Sequence, residues 1–379
     1  MNTSKKLKFI VSGGGTGGHI YPAVAVAQAI RSSHPDAEIL FVGASDRMEM
    51  EKVPKAGFPI IGLWISGLQR SLSPKNFLFP LKVIHSVWKS LQILREYKPD
   101  VAIGFGGYAS GALLYAATMR DIPTLIHEQN SYAGITNKIL RNRVNTICVA
   151  YDRMERFFPE RKIVKTGNPI RKDLIDVQQF KKEAYTHFGL DSSKKTVLVI
   201  GGSLGARTIN ESMLNGINEI HQQHVQVIWQ TGLNFNRQRL DPVKTLIISE
   251  NNSGGSVNCQ SFIYEMHLAY AAADVVISRA GALSIAEIAQ VKKPVILVPS
   301  PNVAEDHQTK NAMALVEQQA ALMVRDQDAR SALIPELISL MNNPMRQAQL
   351  RNNIAMFAMP DAAGRIEKEV LKLIHESSI

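Results

Sequence analysis

The sequence predicts an α/β protein of two doubly wound domains facing across a cleft, and three observations lead there. Short β-rich runs alternate with helix-length segments through the first half. The same series restarts at Thr196-Val197-Leu198-Val199-Ile200. The opening strand of each half runs directly into a glycine-rich turn and then a helical stretch. Alternation of this kind argues for a parallel sheet covered by helices on both faces. In such sheets ligands bind beyond the carboxyl ends of the strands.

In chain order, Phe9-Ile10-Val11 reads as the first strand, followed by glycines and a helix over Ala23–Ile30. Ile39–Val42 is the second strand, and Val101–Ile103, Thr124–Ile126 and Thr146–Val149 are short buried strands. Val83–Tyr97 and Ala109–Met119 are helical between them. In the second half Val225–Gln230, Asp274–Ile277 and Val295–Val298 continue the strands after Thr196–Ile200. The Asn-, Ser- and Gly-rich segment Asn251–Ser256 reads as a loop. Thr166-Gly167-Asn168-Pro169 punctuates the chain, so the domains are expected at 1–165 and 166–345. A charged helical tail, 346–379, is expected to cross back onto the first domain.

A length of 379 residues suits two domains. With 45% hydrophobic and 20% charged residues, extensive disorder is excluded. Lys and Arg exceed Asp and Glu by 43 − 33 = 10, which favours an anionic partner: nucleic acid, a phosphorylated substrate or anionic lipid. No RNP, zinc or helix-turn-helix signature supports nucleic acid. The two cysteines, Cys148 and Cys259, fit no metal spacing and no disulfide framework. Met1–Lys6 leads into a strand rather than an export signal. No run of about 18 apolar residues is present to cross a bilayer.

The first glycine turn is Gly13-Gly14-Gly15-Thr16-Gly17-Gly18-His19. Glycines let the backbone approach a ligand closely, and the N–H groups and dipole of a helix start favour phosphate. A nicotinamide site wants an acid ending the second strand. Ile39-Leu40-Phe41-Val42-Gly43-Ala44 has none, and no Walker lysine follows the glycines. His19 sits where the helix begins. It is either a neutral imidazole able to take a proton or a capping residue without chemistry.

The second turn, Gly201-Gly202-Ser203-Leu204-Gly205-Ala206-Arg207, can hold a diphosphate through its N–H groups and the Ser203 hydroxyl. Glu287, in Ser278–Glu287, suits a pair of ribose hydroxyls or is an ordinary first-turn acid. The polar cluster Pro299–Asn311 suits sugar hydroxyls or a solvated helix start. Leu72–Leu94 carries Leu78, Phe79, Leu81, Val83, Ile84, Val87 and Trp88, with Lys75, Lys82 and Lys89 seven residues apart. It is a crossover helix packed on the sheet with solvated lysines, or an interfacial helix on anionic lipid.

Gly13–His19, Gly104-Phe105-Gly106-Gly107-Tyr108, His127-Glu128-Gln129-Asn130, Thr166–Arg171, Gly201–Ala206, Ala280–Glu287 and Asp306-His307-Gln308 occur in an order spread over most of the chain. Together they closely resemble the MurG family, the peptidoglycan N-acetylglucosaminyltransferases of the GT-B superfamily, whose fold is two Rossmann-like domains facing across a cleft. Ser284 and Ala286 stand where relatives often carry Thr and Ser.

The resemblance implies a UDP-GlcNAc donor in the second domain. Ser203 and Arg171 would bind the diphosphate, the backbone near Ile263 the uracil, and Ala282, Leu283, Ser284, Ile285, Ala286 and Glu287 the nucleotide, with Glu287 on the ribose. Gln308 would contact the sugar, and Thr16, Gly17, Gly18 and Asn130 would reach the donor from the first domain. The acceptor, undecaprenyl-linked lipid I, would lie in the first domain near Gly14, Gly15, Gly106, Gly107 and Tyr108.

The expected reaction is an inverting displacement by the muramic 4-hydroxyl, giving lipid II. His19 is the expected base and Glu128 its competitor. No cofactor or essential metal ion is expected. The implied place is the cytoplasmic face of the inner membrane, at its anionic surface, with partial docking near Phe77–Leu81. Other GT-B transfers and epimerisation of UDP-GlcNAc are the enzyme alternatives, separated by acceptor-dependent UDP release. A non-catalytic nucleotide-sugar or nucleic-acid-binding protein is the alternative of another class, which would bind UDP-GlcNAc without transfer to a lipid acceptor.

Overall fold

The computed structural model describes residues 6–67, 78–235 and 257–377. The chain divides into two compact units, Met1–Ile170 with Asp361–Ile379, and Arg171–Pro360. The sequence reading places the division near 165; the contacts place it at Ile170.

The first unit holds β1 (Lys8–Ser12), β2 (Glu38–Ala44), β3 (Ile60–Leu63), β4 (Val101–Gly104), β5 (Thr124–Glu128), β6 (Thr146–Val149) and β7 (Ile163–Lys165). They form one sheet in the order β3-β2-β1-β4-β5-β6-β7. All pairs are parallel, and Phe9 of β1 stands between Ile39 and Val101. Its helices are α1 (Gly17–Ser33), α2 (Glu49–Lys55), α3 (Phe79–Tyr97), α4 (Tyr108–Thr118) and α5 (Ile135–Leu140). Phe9, Ile10 and Val11 are fully buried, as continuous apolar strands are when helices cover both faces. The strand order reverses between β1 and β4, so the crevice at this sheet's carboxyl edge opens where the first glycine turn leaves β1.

The second unit repeats the plan. Its strands are β8 (Thr196–Ile200), β9 (Gln226–Gln230), β10 (Val257–Gln260), β11 (Val275–Ser278), β12 (Val295–Leu297) and β13 (Leu322–Met323), in the order β10-β9-β8-β11-β12-β13. All are parallel, and the reversal lies between β8 and β11. Helices α6 (Lys181–Phe188), α7 (Arg207–Gln222), α8 (Met266–Ala272), α9 (Ala282–Gln290), α10 (His307–Val316), α11 (Ala329–Met341) and α12 (Pro344–Ile354) belong to it.

Every strand named from the sequence is present. The four not named, β3, β7, β10 and β13, are the four sheet edges. They are half-buried rather than buried throughout. An edge strand packs fewer neighbours and carries no unbroken apolar run, so it leaves little pattern. The Asn251–Ser256 loop lies outside the described residues.

The tail divides. α12 stays with the second unit, and only α13 (Ala362–Glu376) joins the first. The reason is its apolar stripe. Ile366, Val370, Leu373 and Ile374 recur at helical spacing and enter the core that holds Phe9, Ile20, Ala27 and Ile30. Ile366 is 0% exposed. Ile366→Ala is therefore expected to lower stability by about 2–5 kcal/mol, read as an earlier urea midpoint. A loss under about 0.5 kcal/mol would make α13 a surface appendage.

Candidate functional site

In the first unit, β1 ends at Ser12 and α1 starts at Gly17, with Thr16 at the cap position. The Thr16 hydroxyl caps no N–H of α1 and lies 3.4 Å from His19 Nδ1 instead. The leading N–H groups of the helix, those of Gly17 and Gly18, have no partner within it, which is the arrangement that receives anions.

The turn after β4 lies against the turn after β1. Gly14 N–H donates to Gly106 O, 3.4 Å. Gly106 and Gly107 have φ of +98° and +92°, and a Cβ on Gly107 would fall 2.6 Å from Gly14 O. Only glycine satisfies both the left-handed backbone and the close approach. Gly14, Gly15, Gly106, Gly107 and Tyr108 are thus brought together. Tyr108 opens α4, 46% exposed, with its ring edge-on to Phe79.

His19 lies in the first turn of α1. Its Nδ1 is 2.9 Å from Gly14 O. A carbonyl only accepts, so Nδ1 carries the proton and Nε2 keeps its lone pair. Nε2 sits over Gly106, where a Cβ would come within 3.0 Å. Among the described residues no protein group donates to it.

β5 delivers the next cluster. His127 is fully buried. Nε2 donates to Gly167 O at 2.9 Å, and Nδ1 accepts from Gln129 Nε2 at 3.1 Å. Burial lowers its pKa to about 4, against the opposing hydrogen bond to Gly167, so it is neutral and fully engaged. Glu128 is 2% exposed. Oε1 accepts from Asn130 N–H at 3.1 Å and Asn130 Nδ2 at 3.2 Å, and Oε2 from Gly134 N–H at 2.9 Å and Asn137 Nδ2 at 2.8 Å. Four donors converge on one carboxylate, which fixes the 129–134 turn and with it Asn130.

In the second unit, Gly201–Ala206 joins β8 to α7. Ser203 is exposed, and its carbonyl accepts from Leu233 N–H at 3.0 Å. Gln230, ending β9, braces this turn. Its Nε2 donates to Gly202 O at 3.2 Å, and its Oε1 accepts the Ile263 N–H at 3.0 Å. The Ile263 amide is thereby tied to the glycine turn.

β11 ends at Ser278 and α9 runs Ala282–Gln290, so Ala282, Leu283, Ser284, Ile285 and Ala286 form its first turns ahead of Glu287. Arg171 Nε lies 3.7 Å from Glu287 Oε1, and Tyr270 OH donates to Oε2 at 3.2 Å. Burial raises the Glu287 pKa, opposed by the Arg171 cation. After β12, Gln308 in α10 accepts the Ser300 N–H at 2.8 Å.

Three residues at these sites were not singled out from the sequence. Gln230 ends a strand as a polar residue in an apolar run, a signal that was there to read. Tyr270 has no local signal. Glu49, wholly buried beside the first glycine turn, has none either, because Gly15, the partner that ties it to that turn, lies 34 residues away.

Two family models match the chain, the glycosyltransferase family 28 N-terminal domain over residues 9–149 and its C-terminal domain over 196–366. A Cytophaga hutchinsonii protein named UDP-N-acetylglucosamine--N-acetylmuramyl-(pentapeptide) pyrophosphoryl-undecaprenol N-acetylglucosamine transferase is 54% identical over 375 residues, covering 99% of each chain. A Bacteroides fragilis protein of the same name is 52% identical over 372 residues, 98% of this chain and 97% of that one. The crystal structure of Acinetobacter baumannii MurG superposes with a TM-score of 0.77 at 25% identity, covering 97% of this chain and 99% of that one.

Proposed function

This chain belongs to the MurG family of glycosyltransferase family 28, with the GT-B fold of two Rossmann-like domains, and from that premise we propose the following division of labour. The enzyme transfers GlcNAc from UDP-GlcNAc to lipid I, giving lipid II. The first unit holds the acceptor and the second the donor. The muramic 4-hydroxyl attacks the anomeric carbon, the configuration inverts, and UDP leaves.

His19 takes the hydroxyl proton at Nε2. The observation that carries this is the bond from Nδ1 to Gly14 O, which leaves Nε2 unprotonated over the glycines. Glu128, the rival base, has both oxygens committed to four donors, which favours a role in shaping the turn that bears Asn130. Negative charge growing on the departing diphosphate is met by Arg171, Ser203 and the start of α7. Glu287 receives the ribose hydroxyls, Ile263 borders the uracil, and Gln308 the sugar. Gly14, Gly15, Gly106, Gly107 and Tyr108 take the lipid-linked diphosphate side, and Thr16, Gly17 and Gly18 the donor. Purified protein incubated with radiolabelled UDP-GlcNAc and lipid I is expected to yield a labelled lipid product and UDP in equal amounts. UDP-GlcNAc binding without labelled lipid would overturn the reading.

Among the described residues no helix is long and apolar enough to cross a membrane, yet the acceptor is anchored in one. α3 supports docking at an anionic surface. It turns Ser86 and Ser90 inward and leaves Leu81, Ile84 and Trp88 58%, 66% and 55% exposed, whereas Ile93 and Leu94 in its last turns are buried as in an ordinary crossover helix. Trp64 and His85 extend the face, with Lys82 over Trp64. Lys75 and Phe77 lie outside the described residues. Exposed apolar side chains at helical spacing beside lysines suit the headgroup boundary. Flotation with anionic vesicles is expected to show salt-sensitive binding, weakened by Trp88→Glu and by Lys82→Glu with Lys89→Glu. Equal binding to neutral vesicles at every salt level would contradict it.

A further inference from the structure

We propose that Glu49 is a positioning residue for His19, acting through the Gly14–Gly15 peptide. The inference rests on the reading of His19 as base.

Glu49 opens α2 and is 0% exposed. Its Oε1 accepts the Ala44 N–H and its Oε2 the Gly15 N–H, each at 3.0 Å. Among the described residues no Lys or Arg pairs with it. A carboxylate withdrawn from water needs such bonds, so the glycine turn supplies half of what holds it. The fit is mutual. A Cβ on Gly14 would overlap the Glu49 carboxylate, and one on Gly43 would fall 2.6 Å from Glu49 Cγ. Gly14 and Gly43 are small because this side chain fills the space beside them.

The Gly15 N–H and the Gly14 carbonyl belong to one peptide plane. Glu49 holds the plane by its N–H, and the same plane holds His19 Nδ1 by its carbonyl, 2.9 Å away. The order is carboxylate, peptide, imidazole. Hydrogen bonds in such a chain polarise one another. A carboxylate on the N–H makes the carbonyl a stronger acceptor, which favours the proton on Nδ1 and the lone pair on Nε2. A carboxylate bonded directly to a histidine fixes tautomer and ring orientation in the same way. Because its N–H is engaged by Glu49, Gly15 borders the lipid-linked diphosphate by close backbone approach and not by donating to it.

The test pairs Glu49→Gln, which keeps the shape but turns one acceptor into a donor, with Glu49→Asp, too short to span both N–H groups. Both are expected to lower kcat about 10–100-fold, with the KM for UDP-GlcNAc within about twofold of the parent, since the shift acts on orientation of the base. Nitrogen NMR of His19 is expected to show the Nδ1-protonated tautomer in the parent and a mixture in both variants. Parental kcat and tautomer in both variants would overturn the inference. So would a fall in activity matched by loss of folded protein with the tautomer unchanged, which would make Glu49 structural only. If the parent itself fails to transfer GlcNAc to lipid I, the functional reading falls, and the histidine signal still judges this inference.

Discussion

His19→Ala folds as the parent does and loses about 10²–10⁴-fold in kcat, the range for removing a general base. UDP-GlcNAc binding stays within a few-fold. Three residues of the first unit could take the proton, and they differ in what already engages them. His127 is buried and neutral, with both ring nitrogens bonded. Glu128 accepts from four donors. In His19 one nitrogen is spent on orientation, and the other accepts from no described protein group. A base must be both held and unspent, and His19 alone of the three is both. Its side chain is half-buried, so truncation takes little from the core. Single-turnover transfer with saturating UDP-GlcNAc isolates the chemical step. Turnover within about threefold of the parent would remove His19 from the role.

How much of this was legible beforehand follows from what each interaction spans. The central strands were legible because burial on both faces makes them unbroken apolar runs, as in Val197-Leu198-Val199-Ile200. The glycine turns were legible because their residues are consecutive, and Gly106 and Gly107 have the positive φ that favours glycine. What could not be read joins distant residues. Glu49 meets Gly15 across 34 positions, and nothing near Glu49 marks it, since first-turn acids are common in helices. The tail shows the same limit. α12 and α13 are both helical and charged, and only the stripe Ile366, Val370, Leu373 and Ile374 separates the helix that returns to the first unit. The rivalry of His19 and Glu128 was also beyond the sequence, because it turns on which lone pairs are already in use.

Glu128→Ala is the second large effect, and it falls on stability and activity together. The substitution removes one acceptor group from the Asn130 and Gly134 amides and from the side chains of Asn130 and Asn137. Each buried donor left without a partner costs about 1–3 kcal/mol. Water reaches the partly exposed ones, so the expected total is about 3–5 kcal/mol, read in urea denaturation. Glu128→Gln separates the two roles open to this residue. Its amide still accepts on one side but sets N–H against N–H at either Asn130 or the Gly134–Asn137 pair. An organiser loses stability and turnover in step, with the loss of turnover below that of His19→Ala. A base would lose about 10²–10⁴-fold in kcat with stability close to the parent. The double variant with His19→Ala closes the argument. If Glu128 acts only by shaping the 129–134 turn, Glu128→Gln lowers the residual rate of His19→Ala by about the factor it costs the parent. If the two share the proton, the second substitution costs far less than it does alone, because the step both served is already lost.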